Sequence, residues 1–206
     1  MISWTWLIFV LASANVAAQS LPVPQEQTAY AQSLEQQRRE KDEEFKKSKD
    51  SPLRSEDRHA FRGLHYFPVD MKYRFSGAIV KNSKPETLAL VTSDGHSKKA
   101  QRYGSFAFQI HGETYRLQIY KLLNLSAAYQ DYLFIPFTDA TSGEQSYGGG
   151  RYLDLIEQKN NEYVVDFNLA YNPSCAYGRE DFSCPIPPRE NHLPISIAAG
   201  EKKWKD

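Results

Sequence analysis

Apolar positions recur at two different periods along the chain, and the change falls near Tyr73. Before it, residues 28–49 carry few apolar side chains. Tyr30, Leu34 and Phe45 fall on one narrow stripe of a helix, and Glu35 with Arg39 and Glu43 with Lys47 stand four apart in the favourable order. The spacing predicts a mostly solvated helix there, ended by Ser51 and Pro52. A short second helix is expected from a Ser55 cap to Phe61, stopped at Gly63. From Tyr73 the period becomes two. Tyr73, Phe75 and Gly77 alternate with polar or small neighbours, and Ile79 and Val80 continue the strand. Residues 87–92 predict a second strand before a turn at Ser93, Asp94 and Gly95. Residues 106–110 and 115–120 form the clearest hairpin, with His111 and Gly112 in its turn. A short buried strand is expected at 133–137. A further hairpin is expected from 152–157 and 163–166 around Lys159, Asn160 and Asn161, and a last strand at 195–198.

About seven to nine short strands with tight turns predict a mostly β fold, an antiparallel sandwich or partly open barrel, preceded by the N-terminal helix. No helix-length crossover separates the strands, so parallel pairing is not expected. The chain divides into residues 1–18, a linker and charged helix over 19–50, and a single all-β domain over 51–206 with a proline-rich C-terminal arm.

Residues 2–18 are uncharged, too short for a membrane span, and end with Val16 and Ala18 placed as a Val-x-Ala cleavage signal. This predicts a secretory signal peptide, export to a periplasm, and no stable membrane span after cleavage. An uncleaved anchor is the alternative, since the segment lacks a basic start. The 206 residues include 25 basic and 25 acidic ones, so the formal charge is zero and nucleic acid is not an expected partner. Aromatic residues make up 13 %, with Tyr (13) ahead of Phe (11), a balance that favours surfaces with an apolar body and a polar tip.

Cys175 and Cys184 are the two cysteines of the chain and close a short loop. Two thiols cannot make an all-cysteine zinc site. In an oxidising compartment a disulfide is expected, and a reactive thiol assisted by His192 is the alternative. Pro185, Pro187 and Pro188 enforce an extended arm after Cys184, of the kind that straps the outside of a core. These segments, FRGLHYFPVD (61–70), DYLFIPFTDATSGEQSYGGGRYLDL (131–155), DFNLAYNPSCAY (166–177) and CPIPPRENHLPISIAAGEK (184–202), resemble the bacterial and archaeal family known as domain of unknown function 1684. The resemblance implies an all-β core after an N-terminal helix and brings no established activity, substrate or catalytic residue. The family's cysteine pair and Asn-Pro turn are matched at Cys175, Cys184, Asn172 and Pro173.

Loop 138–151 is the main candidate for chemistry. Gly148, Gly149 and Gly150 free the backbone to form an anion nest, Arg151 offers a planar fork for a carboxylate or phosphate, and Thr141 and Tyr147 add polar groups. The alternative is a plain hairpin loop whose Arg151 pairs structurally with Asp154 or Asp166. Asn168, Tyr171 and Tyr177 join Arg151 and Tyr147 in a polar-aromatic surface if they converge. Asp139, Asp154 and Asp166 are the candidate catalytic carboxylates of a hydrolase reading. The same oxygens with Asn168 or Asn172 form a weaker calcium candidate, off the EF-hand spacing. No histidine pair has metal spacing, and neither a P-loop nor a G-x-S-x-G elbow is present. No cofactor and no metal is expected. The leading reading is an exported protein that captures a small polar or anionic molecule. The alternatives are a hydrolase and a structural or interaction module using the charged helix.

Overall fold

The computed structural model describes residues 23–205. The expected signal peptide lies outside the described residues, and within them no helix is long and apolar enough to cross a membrane. Helix α1 spans Val23–Lys47, so it starts within the expected linker. Pro24 falls in its first turn, where a missing amide costs nothing. Helix α2 is a single turn, Ser55–Arg58. Nine strands follow: β1 Arg74–Gly77, β2 Val80–Lys81, β3 Thr87–Val91, β4 Ser97–Ile110, β5 Glu113–Leu122, β6 Tyr132–Asp139, β7 Arg151–Ile156, β8 Tyr163–Asp166 and β9 His192–Leu193.

The larger sheet runs β2-β4-β5-β6-β7. The long strand β4 takes β2 and β3 along the same edge, and β7 does not return to β2, so no barrel closes. The β4–β5 hairpin is as the alternation predicts. Phe106 lies opposite Leu117 and Phe108 opposite Tyr115, and His111 (φ 53°) and Gly112 (φ 83°) supply the two left-handed residues of its turn. Phe106, Leu117, Ile119, Ile135, Phe137 and Leu153 bury one face of this sheet. The opposite face carries Tyr120, Phe134 and Tyr152.

Three expectations are corrected. β8 does not pair with β7. It crosses to β1 and forms a separate antiparallel pair, Arg74 opposite Asp166 and Gly77 opposite Tyr163. The inward residues Val165 and Phe167 then reach the same core as the larger sheet. Residues 195–198 are not a strand, and the short β9 pairs with β6 in parallel instead. Ser55 is the first residue of α2 rather than its cap.

The proline arm is extended. Ser93 N donates to Cys184 O and Ile186 N to Val91 O, so the arm lies along the end of β3. The Tyr152 hydroxyl donates to Pro185 O at 2.5 Å. Pro136 lies within β6 and interrupts its ladder to β5, since it has no amide to give. The β5–β6 register is a single pair, Tyr120 with Phe134, and Asn191 fills the gap. Its amide group donates to Pro136 O (2.7 Å) and Gln118 O (2.9 Å), and its oxygen accepts from Gln118 N (2.7 Å). The side chain thus imitates a strand residue.

The C-terminal tail, 195–202, threads the interior in irregular form because Arg151 takes its carbonyls. The Arg151 side chain is 1 % exposed. Nη2 donates to Asp139 (2.8 Å) and Ile197 O (2.9 Å), and Nη1 to Ala199 O and, at 3.3 Å, to Glu201 O. Asp139 in turn accepts from Ile197 N (2.9 Å). Gly200 (φ 77°) completes the path, since a Cβ there would come within 2.5 Å of Ala170 O.

Two predictions follow from these contacts. Arg151→Met leaves Asp139 buried without its cation and is expected to cost roughly 3–5 kcal/mol in chemical denaturation, whereas adding Asp139→Leu recovers only the part due to the unpaired charge, since the tail carbonyls, Ile197 N and Thr141 N still lack these partners. Glu157, just beyond β7, accepts from Tyr103, Lys81 and Lys121, and these contacts hold its pKa at about 2. A depressed folded pKa stabilises the protein above the unfolded value of about 4.3 and loses that contribution as pH falls toward the folded one. Wild type is therefore expected to lose more melting temperature than Glu157→Gln between pH 5 and about pH 2. Parallel curves would remove Glu157 from the account.

Candidate functional site

The stripe of α1 that faces the core is broader than its apolar residues indicate. Tyr30, Leu34, Arg38, Lys41 and Phe45 follow one another at steps of three or four, and all five meet the β domain. The Tyr30 hydroxyl donates to Asp166 at 2.6 Å. Phe45 meets the Tyr177 ring edge-on at 4.9 Å. Lys41 Nζ lies 2.5 Å from the Glu201 carboxylate. Glu201 is itself buried, and its second oxygen accepts from Asn172 N (2.8 Å) and Tyr177 OH (2.6 Å). That shell compensates the burial of a carboxylate. Burial and Glu201 together push the Tyr177 hydroxyl well above its usual pKa, so it stays a donor.

Between α1 and the core these side chains leave a pocket of about 190 Å³, with Arg38, Lys41, Tyr66, Asn168, Tyr171 and Glu201 in its wall. Arg38 is half-buried and loosely held. Its guanidinium stacks 4.2 Å over the Tyr66 ring and reaches Phe67 O at 3.4 Å and Asn168 O at 3.5 Å. It has no carboxylate within ion-pair distance among the described residues, and its buried Nε–H has no hydrogen-bond acceptor. The Tyr66 hydroxyl is likewise buried without a hydrogen-bond partner. Desolvation lowers the Arg38 pKa, while the Tyr66 and Tyr30 phenols and Glu201 act against that.

Tyr171 is also in the wall of a second opening, a groove of about 250 Å³ on the outer face of the larger sheet. Phe134 and Tyr152 form its floor, and Tyr132, Tyr171 and Phe182 line it beside Cys184 and Pro185. Beside the groove, Asp154 accepts from the hydroxyls of two of its lining residues, Tyr132 (2.7 Å) and Tyr171 (2.9 Å to either oxygen). Although Asp154 keeps accessible surface, the packing around its carboxylate raises its pKa. The two phenols and Lys41 pull the other way.

The structure distributes the expected site residues unevenly. Arg151 is no anion fork, because both terminal nitrogens are spent on Asp139 and on tail carbonyls and its unpaired Nε–H is buried in the core. Nor does it pair with Asp154 or Asp166. Thr141 is buried and bound to Asp139 and Ser146, and the amides of residues 142–146 close turns inside the loop. Gly150 (φ 87°) packs against Phe137 O and Pro187, leaving no room for a ligand at that position. Gly148 and Gly149 are exposed, and the Tyr147 ring lies over Gly149. Asn168 braces Asp70 and Asp166, with its oxygen on Asp70 N and its amide group on Asp70 O and Asp166. Tyr177 is spent on Glu201. Asp139 and Asp166 are buried, so Asp154 is the one exposed member of the three candidate carboxylates. Tyr171 and Asp154 are therefore the expected residues that meet at an open surface.

Arg38, Lys41, Tyr66, Tyr132 and Glu201 were not among the expected site residues. The signal for the first two was present, as basic residues in helical register with Leu34 and Phe45. Among the described residues no group of three or more His, Cys, Asp and Glu comes together as a metal site. The sulfurs of Cys175 and Cys184 lie 1.99 Å apart, at disulfide distance, beside the groove.

No curated protein matches the chain. Among solved structures, the solution structure of an uncharacterized protein of Haloarcula marismortui is 35 % identical and superposes with a TM-score of 0.65, covering 87 % of this chain and 97 % of that one. The family model described as protein of unknown function DUF1684 matches residues 59–202. That match takes in Tyr66, Asp154, Tyr171 and Glu201, and the chain belongs to the DUF1684 family.

Proposed function

We propose that the protein binds a small organic carboxylate in the pocket between α1 and the β domain. The observation that carries this reading is Arg38: a half-buried guanidinium with no carboxylate partner among the described residues and an unused buried N–H. A buried donor without an acceptor costs about 1–3 kcal/mol, and a ligand oxygen returns that energy on binding. The guanidinium fork suits a carboxylate held by two parallel bonds. Lys41 adds positive charge while neutralising Glu201, so the wall holds two cations against one carboxylate. Leu34, Leu169 and Ala170 offer surface to an apolar body. This keeps the capture of a small polar or anionic molecule and moves it from loop 138–151 to the helix–core seam.

A hydrolase reading finds less support, because Asp139 and Asp166 are buried and engaged with neighbouring groups. A module using α1 as a free interaction arm is also less favoured, since the inner stripe of the helix is bound to the core. Export remains part of the proposal. It is favoured by the uncharged N-terminal stretch and by a cysteine pair at disulfide distance.

Native mass spectrometry and calorimetric titration with acetate, pyruvate, benzoate and succinate test the reading. Binding of at least one is expected, with a loss of about tenfold or more in Arg38→Gln and a melting temperature shifted by only a few degrees. Equal affinity in Arg38→Gln, or no uptake of any carboxylate, would overturn it.

A further inference from the structure

The groove lined by Tyr132 and Tyr171, whose hydroxyls reach Asp154 at its edge, has a chemistry of its own, separate from the Arg38 pocket. An ionised carboxylate offers about four acceptor positions, and a phenol has one hydrogen to give. Tyr132 and Tyr171 both spend theirs on Asp154. The cluster therefore has acceptor capacity left on the carboxylate and no phenolic hydrogen to donate. A ligand must bring the hydrogens, and two neighbouring donors suit the two carboxylate oxygens best. Around this acceptor stand aromatic rings. Tyr132 and Phe134 are stacked at 6.3 Å with 25° between planes, and Phe134 and Tyr152 meet edge-on at 4.7 Å. Such faces take flat apolar surface, as the C–H side of a sugar ring offers.

We infer that this groove is a binding site for a neutral pyranose, with a vicinal pair of its hydroxyls donating to Asp154 and its ring lying against Tyr132 or Tyr171. An organic ammonium would also donate to Asp154 and sit against aromatic rings. Positive charge is already in place, however. Lys98 lines the groove, whereas Lys41, 5.2 Å from the centre of the Tyr171 ring, is already paired with Glu201. A second cation would be repelled there, and an anion would meet Asp154. A neutral polyol meets neither penalty. The Tyr152 hydroxyl is bound to Pro185 O, so the arm and the Cys175–Cys184 link hold this side of the groove in place.

The test is a backbone-amide NMR titration of the oxidised protein with methyl β-glucoside, N-acetylglucosamine and cellobiose, and separately with choline and acetate. Shifts are expected at 132–134, 152–154, 171 and 182 with at least one sugar and not with choline. Asp154→Asn and Tyr132→Ala are each expected to weaken that binding about tenfold or more, since one hydrogen bond to a charged group or one stacking face contributes that much. Thermal melts confirm that both variants fold. Arg38→Gln is expected to leave sugar binding unchanged, and Asp154→Asn to leave carboxylate binding unchanged, so failure of either site is read independently. No sugar shift at 50 mM, a groove response to choline alone, or sugar binding indifferent to both Asp154→Asn and Tyr132→Ala would overturn the inference.

Discussion

The buried guanidinium of Arg151 is the contact on which the rest of the architecture depends. It sits at the start of β7, is neutralised by Asp139 at the end of β6, and collects the carbonyls of Ile197, Ala199 and Glu201. One side chain thus adds to the backbone contacts of the tail, in which Gly200 O accepts from Phe67 N, Lys202 N donates to His65 O and Glu201 N donates to Ala170 O. Burying an ion pair is seldom a net gain over apolar packing. Here the pair has a further use: it dictates where an irregular segment runs through the core. The tail emerges with Glu201 directed at α1, where Lys41, Tyr177 and Asn172 meet it.

From that point the helix and the pocket are consequences. An isolated, highly charged helix of this composition has little apolar surface to bury. It is held instead by a column of mixed contacts: Tyr30 on Asp166, Arg38 over Tyr66, Lys41 on Glu201 and Phe45 on Tyr177. Polar contacts of this type fix register more tightly than a thin apolar stripe does, and they leave gaps where charged heads do not pack. The pocket beside Arg38 is such a gap. Tyr171 forms part of its wall and, on the outer sheet face, part of the wall of the groove beside Asp154. The two openings share a residue while differing in the charge they present.

Local patterns were legible in the sequence, and distant pairings were not. The β4–β5 hairpin follows from strict alternation and a His-Gly turn, both properties of adjacent residues. The mostly β class and the extended proline arm were legible for the same reason. The partner of β8 was not, because Tyr163, Val164, Val165 and Asp166 fit either neighbour by period alone, and the choice is made by the core beneath. Residues 195–198 alternate like a strand, yet Ile197 bonds to the distant side chains of Arg151 and Asp139 and Ile195 O accepts from Ala140 N, with no ladder. Arg151 beside three glycines reads as an anion site from sequence, and burial turns it into a structural cation. Conversely, Arg38 and Lys41 read as members of a solvated charge run until the helix docks. Asp154 and Tyr171 were named from the sequence, whereas Tyr132, which joins them, stands just before the strand expected at 133–137 and was not named.

The central claim is that Glu201, placed by Arg151, anchors α1 to the β domain and so builds the pocket. Hydrogen exchange of Glu201→Gln measures this directly. The account predicts that amides of residues 30–45 exchange at least tenfold faster than in wild type, while those of β4 and β5 keep their protection. Unchanged protection along α1, or a uniform loss across helix and sheet alike, would contradict it.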